Sequence, residues 1–190
     1  MHDVVEQALA DSLSAMERTV RANRDILVRG ARTLAGCLLA GRKILIFGNG
    51  GSAADAQHIA AEFVNRFARE RRPLGAVALT TDTSVLTSIA NDYDFTQVFA
   101  KQVLALGRSG DVAWGISTSG TSGNVVEAMG AARGRGLYTM ASTGRNPGAV
   151  GQGADLVLAA DSDVTARIQE CHLFMAHVLC DLAERILYPE

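Results

Sequence analysis

Residues 43–52 read KILIFGNGGS: five residues of strand character run straight into a glycine-rich turn, and a long helical pattern follows. A strand that turns tightly into a helix opens a parallel sheet. A parallel neighbour can be reached only by a long crossover, and right-handed crossovers lay helices on the sheet faces. The alternation recurs, with strand candidates at Ala76 to Thr80, Val112 to Ser117, Leu137 to Ser142 and Ala154 to Ala159. Five such strands predict an α/β fold, a doubly wound five-stranded parallel sheet flanked by helices. The chain has 190 residues, enough for one ordinary core and too few for two. A single domain over 1–190 is expected, with N-terminal helices in 1–41 and the α/β core and last helix in 42–190.

Before the first strand, Val5, Leu9, Leu13, Met16 and Val20 recur at helical spacing, and a second pattern of Ile26, Leu27, Leu34 and Leu38 stops at Gly41. These predict two N-terminal helices. The final helix, from about Asp163 to Leu187, is apolar on nearly every side, so burial against another subunit is expected. Arg69, Arg71 and Arg72 before Pro73 read as a solvated helix end followed by a loop.

The formal charge is -2 with scattered basic residues, which is no footprint for nucleic acid or an anionic membrane. Asp3, Glu6, Asp11 and Glu17 break up the start of the chain, excluding a secretion signal, and no apolar run spans a bilayer. A cytoplasmic protein is expected. Cys37, Cys171 and Cys180 lie in helical apolar patterns without paired spacing, so they read as buried small hydrophobes with no chemistry.

In a doubly wound sheet, ligands sit at the carboxyl ends of the strands where the winding reverses. Two loops qualify. In Gly48-Asn49-Gly50-Gly51-Ser52, glycines allow close backbone approach and Ser52 can cap the following helix. The nucleotide-type spacing is met only loosely by Gly48, Gly50 and Ala53. Ser117-Thr118-Ser119-Gly120-Thr121-Ser122 places five hydroxyls before a helix that begins near Asn124. That exceeds the needs of one cap and suits a phosphate held by hydroxyls and a helix N-terminus. No P-loop lysine follows either turn, so a small phosphorylated ligand fits both loops better than a nucleoside triphosphate.

Asp55, His58, Glu62 and Arg66 recur at spacings of three and four, hence on one helix face. His58 and Glu62 could chelate one metal ion, or could be an ordinary exposed pair. The apolar neighbours Ile59, Ala60, Ala61 and Phe63 favour a polar stripe lining a cleft. The last helix offers Gln169, Glu170, His172 and His177. One broad face can present Gln169 and His177, but spacing alone does not choose between the two histidines.

Four segments in order, GNGGSAADAQHIAAEF, LTSIANDYDF, GISTSGTSGNV and RIQECHLFMAH, resemble the signature segments of bacterial phosphoheptose isomerases, members of the sugar isomerase (SIS) domain family with a flavodoxin-like sheet. The resemblance implies one zinc ion per subunit on His58, Glu62, Gln169 and His177. It implies substrate contacts from Asn49, Gly50, Gly51, Ser52, Glu62, Asn91, Asp92, Ser117, Thr118, Ser119, Ser122 and Gln169. Glu62 would be the general base and His177 the general acid of an aldose-ketose exchange through an enediol, with a phosphorylated heptose as substrate and a homotetramer as the assembly. Ala166, three residues before Gln169, stands where some relatives carry an acid, so no further carboxylate is expected there.

Two other readings remain open on the sequence. Residues 100–107 and the Cys180-Asp181-Leu182 ending also resemble a non-catalytic relative that binds the replication initiator DnaA, although that protein lacks the full His, Glu, Gln, His set. The other is a domain that senses, or isomerises, a different sugar phosphate.

Overall fold

β1, Ile44–Gly48, is buried at all five positions, as a central parallel strand must be. In the computed structural model, which describes residues 1–189, the other strands are β2 (Ala76–Ala78), β3 (Val112–Ser117), β4 (Tyr138–Thr143) and β5 (Leu156–Ala159). All pair in parallel, in the order β2-β1-β3-β4-β5. The winding turns one way from β1 to β2 and the other way from β3 to β5. The adjacent carboxyl ends of β1 and β3 are therefore the switch point. The expected strands are all present, with β2 shortened to three residues at the sheet edge.

The helices are α1 (His2–Leu39), α2 (Gly51–Val64), α3 (Thr83–Asp92), α4 (Ala100–Leu106), α5 (Gly123–Gly134), α6 (Gly148–Gly151) and α7 (Thr165–Leu187). Side chains alternate across the sheet. Ile44, Ile46, Trp114, Met140 and Leu158 pack under α1, α2 and α7. Leu45, Phe47, Ala113 and Ala141 face Val103 of α4 and Val125 and Met129 of α5. One helical layer covers each face.

The two expected N-terminal helices are one helix of 38 residues, about 57 Å long. Residues 21–25 contain neither glycine nor proline. What reads as an interruption is a buried polar stripe. The Asn23 side chain donates from Nδ2 to the Ala159 carbonyl at 2.8 Å and accepts from the Ala159 N–H at 3.3 Å. It thus gives β5 the partner that an edge strand lacks. One turn earlier Thr19 Oγ1 accepts from the Asp161 N–H at 2.9 Å.

α7 needs no second subunit to bury most of its surface. Its buried residues, among them Cys171, Met175, Ala176, Leu179 and Ala183, are covered by α1, α2 and the sheet of the same chain. The arginine run is not a solvated helix end. α2 stops at Val64, the run lies in the loop beyond it, and Arg71 makes a buried ion pair with Glu184. The three cysteines are free and buried, and burial pushes the Cys37 thiol up to about 11.

Candidate active site

The two loops meet at the switch point, tied by a reciprocal amide pair. Asn49 Nδ2 donates to Asn124 Oδ1 and Asn124 Nδ2 donates to Asn49 Oδ1, each at 2.8 Å. Asn124, in the first turn of α5, is buried. The sequence marks it only as the start of a helix, and its pairing across 75 residues leaves no local signal. Gly50, not Ser52, is the N-cap of α2; its φ of +54° is a conformation that glycine adopts freely. Ser52 lies within the helix and is buried.

In the second loop the hydroxyls face one another. Ser117 Oγ lies 2.8 Å from Ser122 Oγ and 3.3 Å from Ser119 Oγ. Ser119 Oγ also accepts from the Thr121 N–H at 3.2 Å and from its hydroxyl at 3.1 Å. Ser122 is the N-cap of α5 but makes no side-chain cap bond, so the first N–H groups of this helix keep their donors for a ligand. Hydroxyls that can reorient beside an uncapped helix start have the chemistry to hold an anion without a basic residue.

Across the switch point, α2 and α7 bring three of the expected side chains together. His58 and Glu62 lie one turn apart on α2, with His58 Nε2 3.5 Å from Glu62 Oε1. His177 of α7 places its Nε2 2.8 Å from His58 Nε2, so one of these rings carries the proton between them. Gln169 of α7 reaches the glycine turn. A Cβ on Gly51 would stand 2.0 Å from Gln169 Nε2, so only a residue without a side chain leaves room for that amide. Burial, reinforced by His58, holds the His177 imidazole below its ordinary pKa while Glu62 opposes this. The Phe67 ring lies against His177, with centroids 5.4 Å apart; no spacing rule points to this residue, because it follows the helix end.

The rest of the expected set is placed differently. Asp55 is half-buried next to His58, with Oδ2 unpartnered; burial raises its pKa and the charge of His58 opposes the shift. Arg66 lies past the end of α2, off the polar face, 3.4 Å from Glu70 Oε2. Asn91 and Asp92, in the last turn of α3, are exposed and bonded to each other at 2.8 Å; among the described residues neither has a hydrogen bond to the histidine cluster. His172 is deeply buried, with Nε2 2.8 Å from the Thr143 carbonyl, so it is the core histidine and His177 the one at the cleft. Among the described residues no three His, Cys, Asp or Glu already stand as a metal-binding group. A cavity of about 400 Å³ between α1 and the start of α7 includes none of the cluster. The cluster is an open face, with the side chains of His58 and Glu62 44% and 22% exposed.

A doubly wound sheet with a glycine turn and a hydroxyl loop at its switch point defines the class of protein described as the SIS domain, whose family matches residues 8–144. The phosphoheptose isomerase of Nitratidesulfovibrio vulgaris is 53% identical over 97% of this chain and 88% of its own length. That of Thermodesulfovibrio yellowstonii is 50% identical over 99% and 94%. The solved structure of phosphoheptose isomerase GmhA from Neisseria gonorrhoeae superposes with a TM-score of 0.92 at 46% identity, covering 96% of this chain and 98% of that one. The chain belongs to the SIS domain family and, within it, to the phosphoheptose isomerases. These relatives lend no support to the reading as a DnaA-binding regulator.

Proposed function

We propose that the protein interconverts sedoheptulose 7-phosphate and D-glycero-D-manno-heptose 7-phosphate through an enediol. The observation that carries the reading is that Glu62 of α2 and His177 of α7 both lie against His58, on one open face beside the two switch-point loops. The phosphate binds the Ser117, Thr118, Ser119 and Ser122 loop and the start of α5. The sugar chain extends past Asn49, Gly50, Gly51 and Ser52 toward Gln169. Glu62 takes the proton from C1 of the ketose and returns it to C2, while His177 gives a proton to O2 and receives the one on O1. Each transfer needs a group near neutrality and within hydrogen-bond reach.

Zinc, one per subunit, is the cofactor assigned to His58, Glu62, Gln169 and His177. Two ring nitrogens facing each other at 2.8 Å, with a carboxylate oxygen nearby, form a nitrogen and oxygen donor set of the kind that this ion takes. When bound it would polarise the substrate oxygens.

The assembly is a homotetramer with sites shared between subunits. This reading is supported by the openness of the cluster, the solvent exposure of Asn91 and Asp92, and the exposed apolar residues of α1. Among the described residues no helix is long and apolar enough to cross a membrane. The reading places the enzyme in the cytoplasm, at the head of ADP-heptose synthesis for lipopolysaccharide. The test is turnover of sedoheptulose 7-phosphate by purified protein before chelation, after chelation and after zinc is restored. Activity that disappears and returns supports reaction and metal together; no turnover under any condition overturns the reading.

A further inference from the structure

Glu184, two turns after His177 on the same face of α7, points into the molecule with no solvent exposure to justify a charge. Its carboxylate accepts from the N–H groups of Phe67, Ala68 and Arg69 at 2.8, 2.9 and 2.9 Å, and from Arg71 Nε at 2.8 Å. The Arg71 guanidinium is equally engaged. It donates to the carbonyls of Phe63, Asn65 and Arg72 and, from Nη2 at 2.8 Å, to that of Glu62. The two side chains are 0% and 1% exposed. Two buried charges are costly to desolvate, and this pair offsets that cost by satisfying three loop N–H groups and four carbonyls around it. What the ion pair adds is position.

Its contacts end on both halves of the cluster: the backbone of Glu62, and Phe67, whose ring lies against His177. We propose that Glu184 and Arg71 are positioning residues for the isomerisation: they fix the end of α2 and press the Phe67 ring on His177, setting the relative placement of base and acid. The phosphate loop lies across the switch point and takes no part.

This inference rests on the proposed reaction, and the wild-type assay tests that reaction separately. Phe67→Leu, Phe67→Tyr, Glu184→Gln and Arg71→Lys are compared for kcat, KM and melting temperature, with kcat counted per folded site. Phe67→Leu is expected to lower kcat at least tenfold with KM within twofold, and Phe67→Tyr, which keeps the ring, to recover most of the loss. Glu184→Gln and Arg71→Lys are expected to do the same where they fold. In Glu184→Gln, the ring-current shift that Phe67 imposes on the assigned His177 imidazole proton resonances should shrink, and this is read with or without turnover. Unchanged kcat in Phe67→Leu, or losses that follow melting temperature alone, overturn the proposal, as does an unchanged imidazole shift in Glu184→Gln.

Discussion

At the scale of single residues, the site depends on space as much as on functional groups. Gly51 stands where any Cβ would meet the Gln169 amide. That amide is the free end of a flexible side chain, so Gly51→Ala should fold normally while pushing the Gln169 amide away from the glycine turn. Melting within a few degrees of wild type, together with at least a tenfold loss of kcat/KM, is the expected result; full activity would show that Gln169 has no role. His172 carries a different prediction. Its burial, only partly opposed by the bond to the Thr143 carbonyl, lowers its pKa to about 4, so the folded protein keeps it neutral where the unfolded chain, near 6.5, binds a proton. Stability from this group is complete above pH 6.5 and falls as pH drops toward 4. Between pH 7 and pH 5, wild type should lose on the order of 2 kcal/mol more than His172→Gln does in denaturant titrations. Equal losses would mean that the imidazole is solvated.

Among the elements, what the sequence made legible was local and periodic. The strands, the glycine turn, the hydroxyl loop and the i, i+4 pair His58 and Glu62 each announce themselves within a few residues. The contacts that assemble them do not. The Asn49 and Asn124 pair, Phe67 against His177 and Arg71 under Glu184 join positions that are distant in sequence or lie in an irregular loop. Polar residues in those places read as surface until a partner is known. The same cause split α1 in two on the sequence, because Thr19 and Asn23 look like a solvated break and are the helix's contact with β5. Asn23→Ala should therefore act on the whole element. It leaves the part-buried Ala159 N–H and carbonyl without this partner, a loss of about 0.5–1.5 kcal/mol for each bond. A lowered denaturation midpoint with unchanged helix content at low denaturant would support this, and wild-type stability would count against it.

For the molecule as a whole, the unsolved surface is the start of α1. No side chain before Ala15 is buried, yet Val5, Leu9 and Leu13 repeat every fourth residue and are 67%, 55% and 61% exposed. Hydrogen bonds from Ser12 Oγ to Glu170 and from Arg167 to the Ala8 carbonyl tie this stretch to α7, but three to four turns of helix with no buried apolar face are marginal in water, so the stripe calls for a cover. Burying each of these side chains against a partner would contribute about 1.5–3 kcal/mol, enough together to hold subunits in association. Because the core begins at Ala15, Leu9→Glu with Leu13→Glu removes the stripe without touching the sheet. Light scattering should find a tetramer for wild type and smaller species for the double variant, while thermal unfolding of the sheet domain persists. If subunits share sites across the open face of His58 and Glu62, turnover per chain must fall in step with the tetramer fraction as protein is diluted. Dissociated chains that keep full turnover would instead place the complete site within one subunit.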